Sequence, residues 1–91
     1  MQLLVRNKVK DFAHWRRHLE ADRARAAEYG LTLVALWQGV DDPNDAFFLL
    51  AVAERARAEA FMALPESAEV GRRSGVLEGE AVFVNDPNRP A

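Results

Sequence analysis

The 91-residue chain contains no cysteine. Disulfides, thiolate nucleophiles, iron–sulfur clusters and cysteine-based zinc sites are thereby excluded. Histidine is nearly as scarce, with His14 and His18 alone, so imidazole chemistry is confined to one short stretch. No G-x-G-x-x-G, P-loop, H-E-x-x-H or G-x-S-x-G string occurs. Nothing therefore points to a nucleotide cofactor, a zinc protease or a serine nucleophile elbow. Charge of one sign is also missing: 12 basic residues face 14 acidic ones, for a net charge of −2. The two signs alternate in "RRHLEADRAR" and "ERARAEA", which gives no field for nucleic acid or an anionic membrane. No apolar run approaches the roughly 18 residues needed to cross a bilayer. The apolar patch at the N-terminus is broken by Arg6 and Lys8 and does not read as a signal peptide. The expected location is the cytoplasm, with neither membrane nor nucleic acid as partner.

What is present is a globular composition, 49% hydrophobic and 29% charged. The length predicts one domain, residues 1–85, followed by a polar tail at 86–91. A chain this short buries only about 60% of its unfolded surface on folding and has a thin core. Residues 2–9 alternate, with Leu3, Val5, Asn7 and Val9 on one strand face and Leu4, Arg6 and Lys8 on the other. Asp11 reads as an N-cap for a helix over 11–29, whose stripe is Phe12, Trp15, Leu19, Ala26 and Tyr29. Gly30 is positioned to end it. Residues 31–39 and 46–52 predict two strands joined by the turn at 40–45. Residues 54–63 and 65–73 predict a helix interrupted at Pro65, and 79–84 a last strand. The resulting order is β-α-β-β-α-β: an α+β, ferredoxin-like arrangement with a four-stranded antiparallel sheet.

Two features concern surfaces rather than elements. The stretch "AFFLLAV", residues 46–52, is apolar at every position, and a strand apolar on both sides is expected to be covered on both sides. With the helices on one face, a second copy of the chain is the economical cover for the other, which predicts a homodimer through the sheet face. The acid-rich "DDPN" at 41–44 returns as "NDPN" at 85–88. It lacks the alternating spacing and terminal glutamate of a calcium loop, so the repeat reads as two turns that end strands.

The strings Val5-Arg6-Asn7-Lys8-Val9, Asp11-Phe12, Trp15, Gly30, Asp41-Asp42-Pro43-Asn44, Ser74-Gly75-Val76 and Gly79 together resemble the small dimeric α/β-barrel proteins. The nearest pattern is that of a bacterial branch of unassigned activity, V-x-D-F-x-x-W … D-D-P-N … G-V. The wider superfamily includes antibiotic-biosynthesis monooxygenases, haem-degrading monooxygenases, polyketide cyclases, muconolactone isomerases and stress-responsive A/B-barrel proteins. The resemblance spans about residues 3–84. It implies two sheets facing each other across a dimer, helices outside, and a ligand cavity between each sheet and its own helices. Haem-degrading relatives use an Asn on the first strand with a histidine on a later helix. This chain has no histidine beyond residue 18, which argues against haem. Other relatives oxidise or isomerise phenolic and quinonoid molecules without a cofactor, and none is expected here.

The candidate site residues follow from pattern. Asn7 is an amide on an apolar strand face, either a ligand anchor or a structural amide bonded to backbone. His14 and His18 lie four apart, but Arg16 and Arg17 beside them disfavour a metal and no third ligand is evident, so no metal site is expected. His18 lies nearer the apolar stripe, and an imidazole is a suitable general base near neutral pH. Asp22 interrupts the stripe; it could be a base, or pair with Arg25 or with an arginine of the second helix. Trp37, read as sharing a strand face with Leu33, Ala35 and Gly39, could wall a pocket. Phe48, Phe61 and Met62 could close it, or all four could be core. The reaction classes open to this set are a cofactor-independent monooxygenase, cyclase or isomerase on a small hydrophobic or aromatic molecule. The alternative is a non-catalytic dimeric protein that binds a ligand or serves a stress response.

Overall fold

Alternation in the first strand decides which side of the sheet receives the helices. In the structure, a computed structural model that describes residues 1–89, β1 spans Gln2–Val9. Leu3 and Val9 are buried, whereas Leu4 and Lys8 are exposed. The chain then forms α1 (Phe12–Glu28), β2 (Leu31–Gln38), β3 (Asp45–Val52), α2 (Arg55–Ala63), α3 (Pro65–Ser74) and β4 (Val76–Val84). The strands pair antiparallel in the order β2-β3-β1-β4. This is the ferredoxin-like α+β arrangement, with the second helical segment divided in two. The division falls where expected: Leu64 is extended and Pro65 opens α3. β4 begins at Val76 rather than 79, because Val76 pairs with Val9 beyond a register shift at Lys8. No helix among the described residues is long and apolar enough to cross a membrane.

The ends of α1 are chemically specified. Asp11 is extended and its carboxylate accepts the His14 amide at 2.9 Å, satisfying one of the free first-turn donors. Gly30, at φ 76°, takes the left-handed conformation that terminates the helix; a Cβ there would lie 2.8 Å from that of Ala53. A second first-turn donor, the Phe12 amide, is taken by the side-chain oxygen of Asn44, 32 residues away. The turn between β2 and β3 thus also docks the start of α1.

That turn and the C-terminal one share a construction. Asp42 Oδ1 accepts from the Asn44 amide and the Asp42 carbonyl accepts from the Asp45 amide. Asp86 does the same for Asn88 and Arg89. Each Asp-Pro-Asn is one Asx turn closed by a backbone bond. Pro90 and Ala91, the end of the expected polar tail, lie outside the described residues.

Leu3, Leu31 and Ala58 are buried in the helix–sheet layer, and the main buried cluster lies around Trp15. Val9, Trp15, Ala46 and Phe48 are buried together, with Val5, Phe12, Leu19, Leu36 and Val76 packed around them. The Trp15 ring lies 5.6 Å from Phe48 and 5.4 Å from Phe12, centroid to centroid, in tilted aromatic contact. The opposite face of the sheet carries Leu4, Phe47, Leu49, Trp37 and Val82 without helices over it. Its polar elements include a two-point ion pair, Arg6 Nε and Nη2 to Asp45 at 2.8 and 2.9 Å, with the Arg6 guanidinium 5.7 Å from the Phe47 ring.

Two measurements follow. Asn44→Ala leaves the Phe12 amide without its side-chain acceptor and should cost about 1 kcal/mol in urea unfolding. Asp45→Asn removes a carboxylate whose pKa is lowered chiefly by its hydrogen bond to Arg6. A depressed carboxylate stabilises the fold above the unfolded value, about 3.9, and the gain is lost as pH falls through the lower folded value. The melting-temperature gap between wild type and Asp45→Asn should therefore be full at neutral pH and shrink as the pH falls below the unfolded carboxylate value.

Candidate functional site

Beside Trp15 and Phe48 the space between helices and sheet must be filled by side chains from α1, α3 and the α2–α3 junction. These do not fill it. A cavity of about 470 Å³ lies between the helices and the inner face of the sheet. Its apolar walls include Leu3, Leu31, Leu50, Phe48, Val70 and Ala81. A mainly apolar cavity with few convergent polar groups is the usual form of a small-molecule site.

Asn7, His18 and Asp22 all line this cavity, as do Phe48, Phe61 and Met62. Asn7 is half-buried. No hydrogen bond from the described residues engages its side-chain amide. It stands opposite Gly79 of β4, and a Cβ at 79 would lie only 3.0 Å from Asn7 Oδ1. The glycine leaves room for the amide. His18 is half-buried on the cavity side of α1, its ring 4.7 Å from that of His14 in an edge contact. His14 is occupied elsewhere, with Nε2 2.9 Å from the Arg73 carbonyl oxygen at the end of α3. Among the described residues no group of three or more His, Asp or Glu is arranged to hold a metal.

Asp22 is one half of an ion pair. Arg25 Nε and Nη2 donate to its two oxygens at 2.7 and 3.0 Å, and Nη2 also reaches Ser67 Oγ at 3.2 Å. Ser67 donates to the Phe61 carbonyl at 2.5 Å, and the Arg25 guanidinium stacks 4.4 Å from the Phe61 ring. The Asp22 hydrogen bond raises the Arg25 pKa, so the guanidinium stays charged. One network therefore ties α1 to both short helices along one wall of the cavity. Sequence reasoning saw Arg25 only as a partner for Asp22 and did not bring Ser67 into the site; the signal was an acid and a base three apart on an otherwise apolar stripe.

Trp37 requires a correction. It does not line this cavity but lies on the opposite face of the sheet, paired with Phe47 and 50% exposed. The cause is a bulge in β2: Leu33 pairs with Leu50 and Ala35 with Leu49, leaving Val34 as the extra residue. One inserted residue reverses the alternation, so Leu33 faces the helices while Ala35 and Trp37 face away.

No protein-family model matches the sequence, and no curated protein matches it. Solved structures do match in fold. A protein from Bacteroides thetaiotaomicron, proposed to be an antibiotic biosynthesis monooxygenase, superposes with a TM-score of 0.70 at 15% identity, over 96% of this chain and 89% of that one. One of the same description from Nitrosomonas europaea gives 0.67 at 16% identity, over 96% and 99%. An uncharacterized NIPSNAP domain protein from Burkholderia xenovorans gives 0.64 at 16% identity, over the whole of both chains. The likeness is one of fold, the ferredoxin-like α+β arrangement described above.

Substituting Gly79→Ala tests the Asn7 geometry directly. The added methyl should leave stability within about 1 kcal/mol of wild type, since alanine also restricts the unfolded chain. The Asn7 side-chain amide must move, and its ¹H–¹⁵N resonances should shift; unchanged resonances would show that the amide does not depend on the space at Gly79.

Proposed function

We propose that this chain is a small homodimeric α/β-barrel protein that takes up a small hydrophobic or aromatic molecule between its sheet and its helices. The observation that carries the reading is the 470 Å³ apolar cavity that Asn7 and His18 both line. Apolar walls supply affinity by removing the ligand from water, and two polar groups orient it. In the enzymatic form of this reading, the His18 imidazole takes a proton from a phenol or an enolisable carbon. The Asn7 amide then donates to the oxygen on which negative charge develops. That chemistry fits a cofactor-independent monooxygenase, cyclase or isomerase. The sparse polar lining equally suits a ligand-binding protein without catalysis, and turnover separates the two.

The partner in this reading is a second copy across the bare sheet face. Leu4, Phe47, Leu49, Trp37 and Val82 form an apolar surface there, and the same face carries both Lys8 and Glu80. A two-fold interface brings each patch against itself, so a face bearing both charge signs can complement its own copy.

Thermal-shift screening with phenols, quinones and fused-ring aromatics tests the site. A ligand at about 100 times its Kd adds about 2.7 kcal/mol and should raise the melting temperature by roughly 10 °C or more. Asn7→Ala and His18→Ala should each weaken that shift; a panel without any stabilising compound counts against the reading. For the partner, sedimentation should give twice the 10.2 kDa chain mass, reduced to the monomer by Leu49→Lys. A wild-type monomer at micromolar concentration would contradict it.

A further inference from the structure

Arg25 has more donors than the protein uses. Its Nε and Nη2 are taken by Asp22 and Ser67, whereas Nη1 is enclosed by protein and has no hydrogen-bond partner among the described residues. The guanidinium cannot readily turn to satisfy it, because the two-point contact to Asp22 and the stack on Phe61 fix its plane. Nη1 carries two N–H groups, and Arg25, Phe61, Ser67 and Met62 all belong to the cavity lining.

We propose that the Arg25 end of the cavity is a subsite for an uncharged hydrogen-bond acceptor, a carbonyl oxygen borne on an otherwise apolar ligand. The inference rests on the cavity being a ligand site and adds what the ligand must carry. An acceptor is required because the free groups on Nη1 are donors only. A neutral acceptor is preferred to a carboxylate because Asp22 already balances the guanidinium, and Glu66 adds to the negative field around Arg25. A second buried anion would leave the apolar wall with uncompensated negative charge, whereas a carbonyl adds none. Reaching Nη1 requires nearby side chains to yield. Met62 lines the same cavity, is 41% exposed and has an unbranched, adaptable side chain.

Three probes of similar shape test this: 2-acetonaphthone carries the carbonyl, 2-ethylnaphthalene lacks it, and 2-naphthoate replaces it with an anion. Calorimetric Kd values are measured on wild type and on Asp22→Asn/Arg25→Met, which removes both charges together and strands neither. The double substitution should weaken 2-acetonaphthone about tenfold and 2-ethylnaphthalene less than threefold. In wild type, 2-naphthoate should bind more weakly than 2-acetonaphthone. The carbonyl infrared band of bound 2-acetonaphthone should sit at lower frequency in wild type than in the double variant, a readout that a general loss of packing would not produce. Equal weakening of ketone and hydrocarbon, or an unshifted band, overturns the carbonyl subsite while leaving the cavity reading standing. Tightest binding by 2-naphthoate overturns the preference for a neutral acceptor. Failure of all three to bind wild type overturns both.

Discussion

The contact on which the rest of this structure depends is Trp15 against Phe48. An indole between a helix and a sheet sets their separation at that end of the layer. Val9, Ala46 and Phe12 close around it and complete the core there. Farther along, α1 offers Asp22, Arg25 and Ala26, which are small or engaged with each other, and α3 offers Val70 and Gly71. Trp15 and Phe48 themselves form part of the lining, so the cavity opens directly beside the core. A small chain thus obtains both a packed anchor and an open volume beside one helix.

The two faces of the sheet then take different roles. β3 is the element that links them, with Ala46, Phe48 and Leu50 toward the helices and Phe47, Leu49 and Ala51 away from them. Burial on the helix side is visible in the fold itself. The other side bears aromatic and aliphatic side chains that solvent alone does not account for, and the proposed second copy is the cover that fits a face of both charge signs. The cavity's polar groups divide in a similar way. Asn7 and His18 line the cavity without a side-chain hydrogen-bond partner among the described residues, while Asp22 is bonded to Arg25.

The element order, the cap at Asp11, the stop at Gly30 and the break at Pro65 were all legible because each is written in local sequence. Asp11 meets a donor three residues on, Gly30 adopts φ 76°, and proline cannot donate. The helix-side placement of Asn7 was legible because β1 alternates cleanly. The face of Trp37 was not. In "LVAL", residues 33–36, either register puts apolar residues on both sides, so nothing marks the bulge at Val34. Nor was the docking of Asn44 onto α1, since its partner is 32 residues away and only the assembled sheet brings them together. The same holds for Ser67 beside Arg25, 42 residues apart.

The central claim is that a ligand enters between the sheet and the helices rather than lying on the bare face. Titration of ¹⁵N-labelled protein with 2-naphthol, followed by ¹H–¹⁵N correlation spectra, separates the two surfaces residue by residue. Saturable shifts confined to the Asn7 side-chain amide, the Arg25 Nε–H and the backbone of Leu3 and Leu31, with the Trp37 indole unmoved, are the result this account predicts. Shifts centred on Trp37, Leu49 and Val82 with Asn7 and Arg25 unmoved would contradict it.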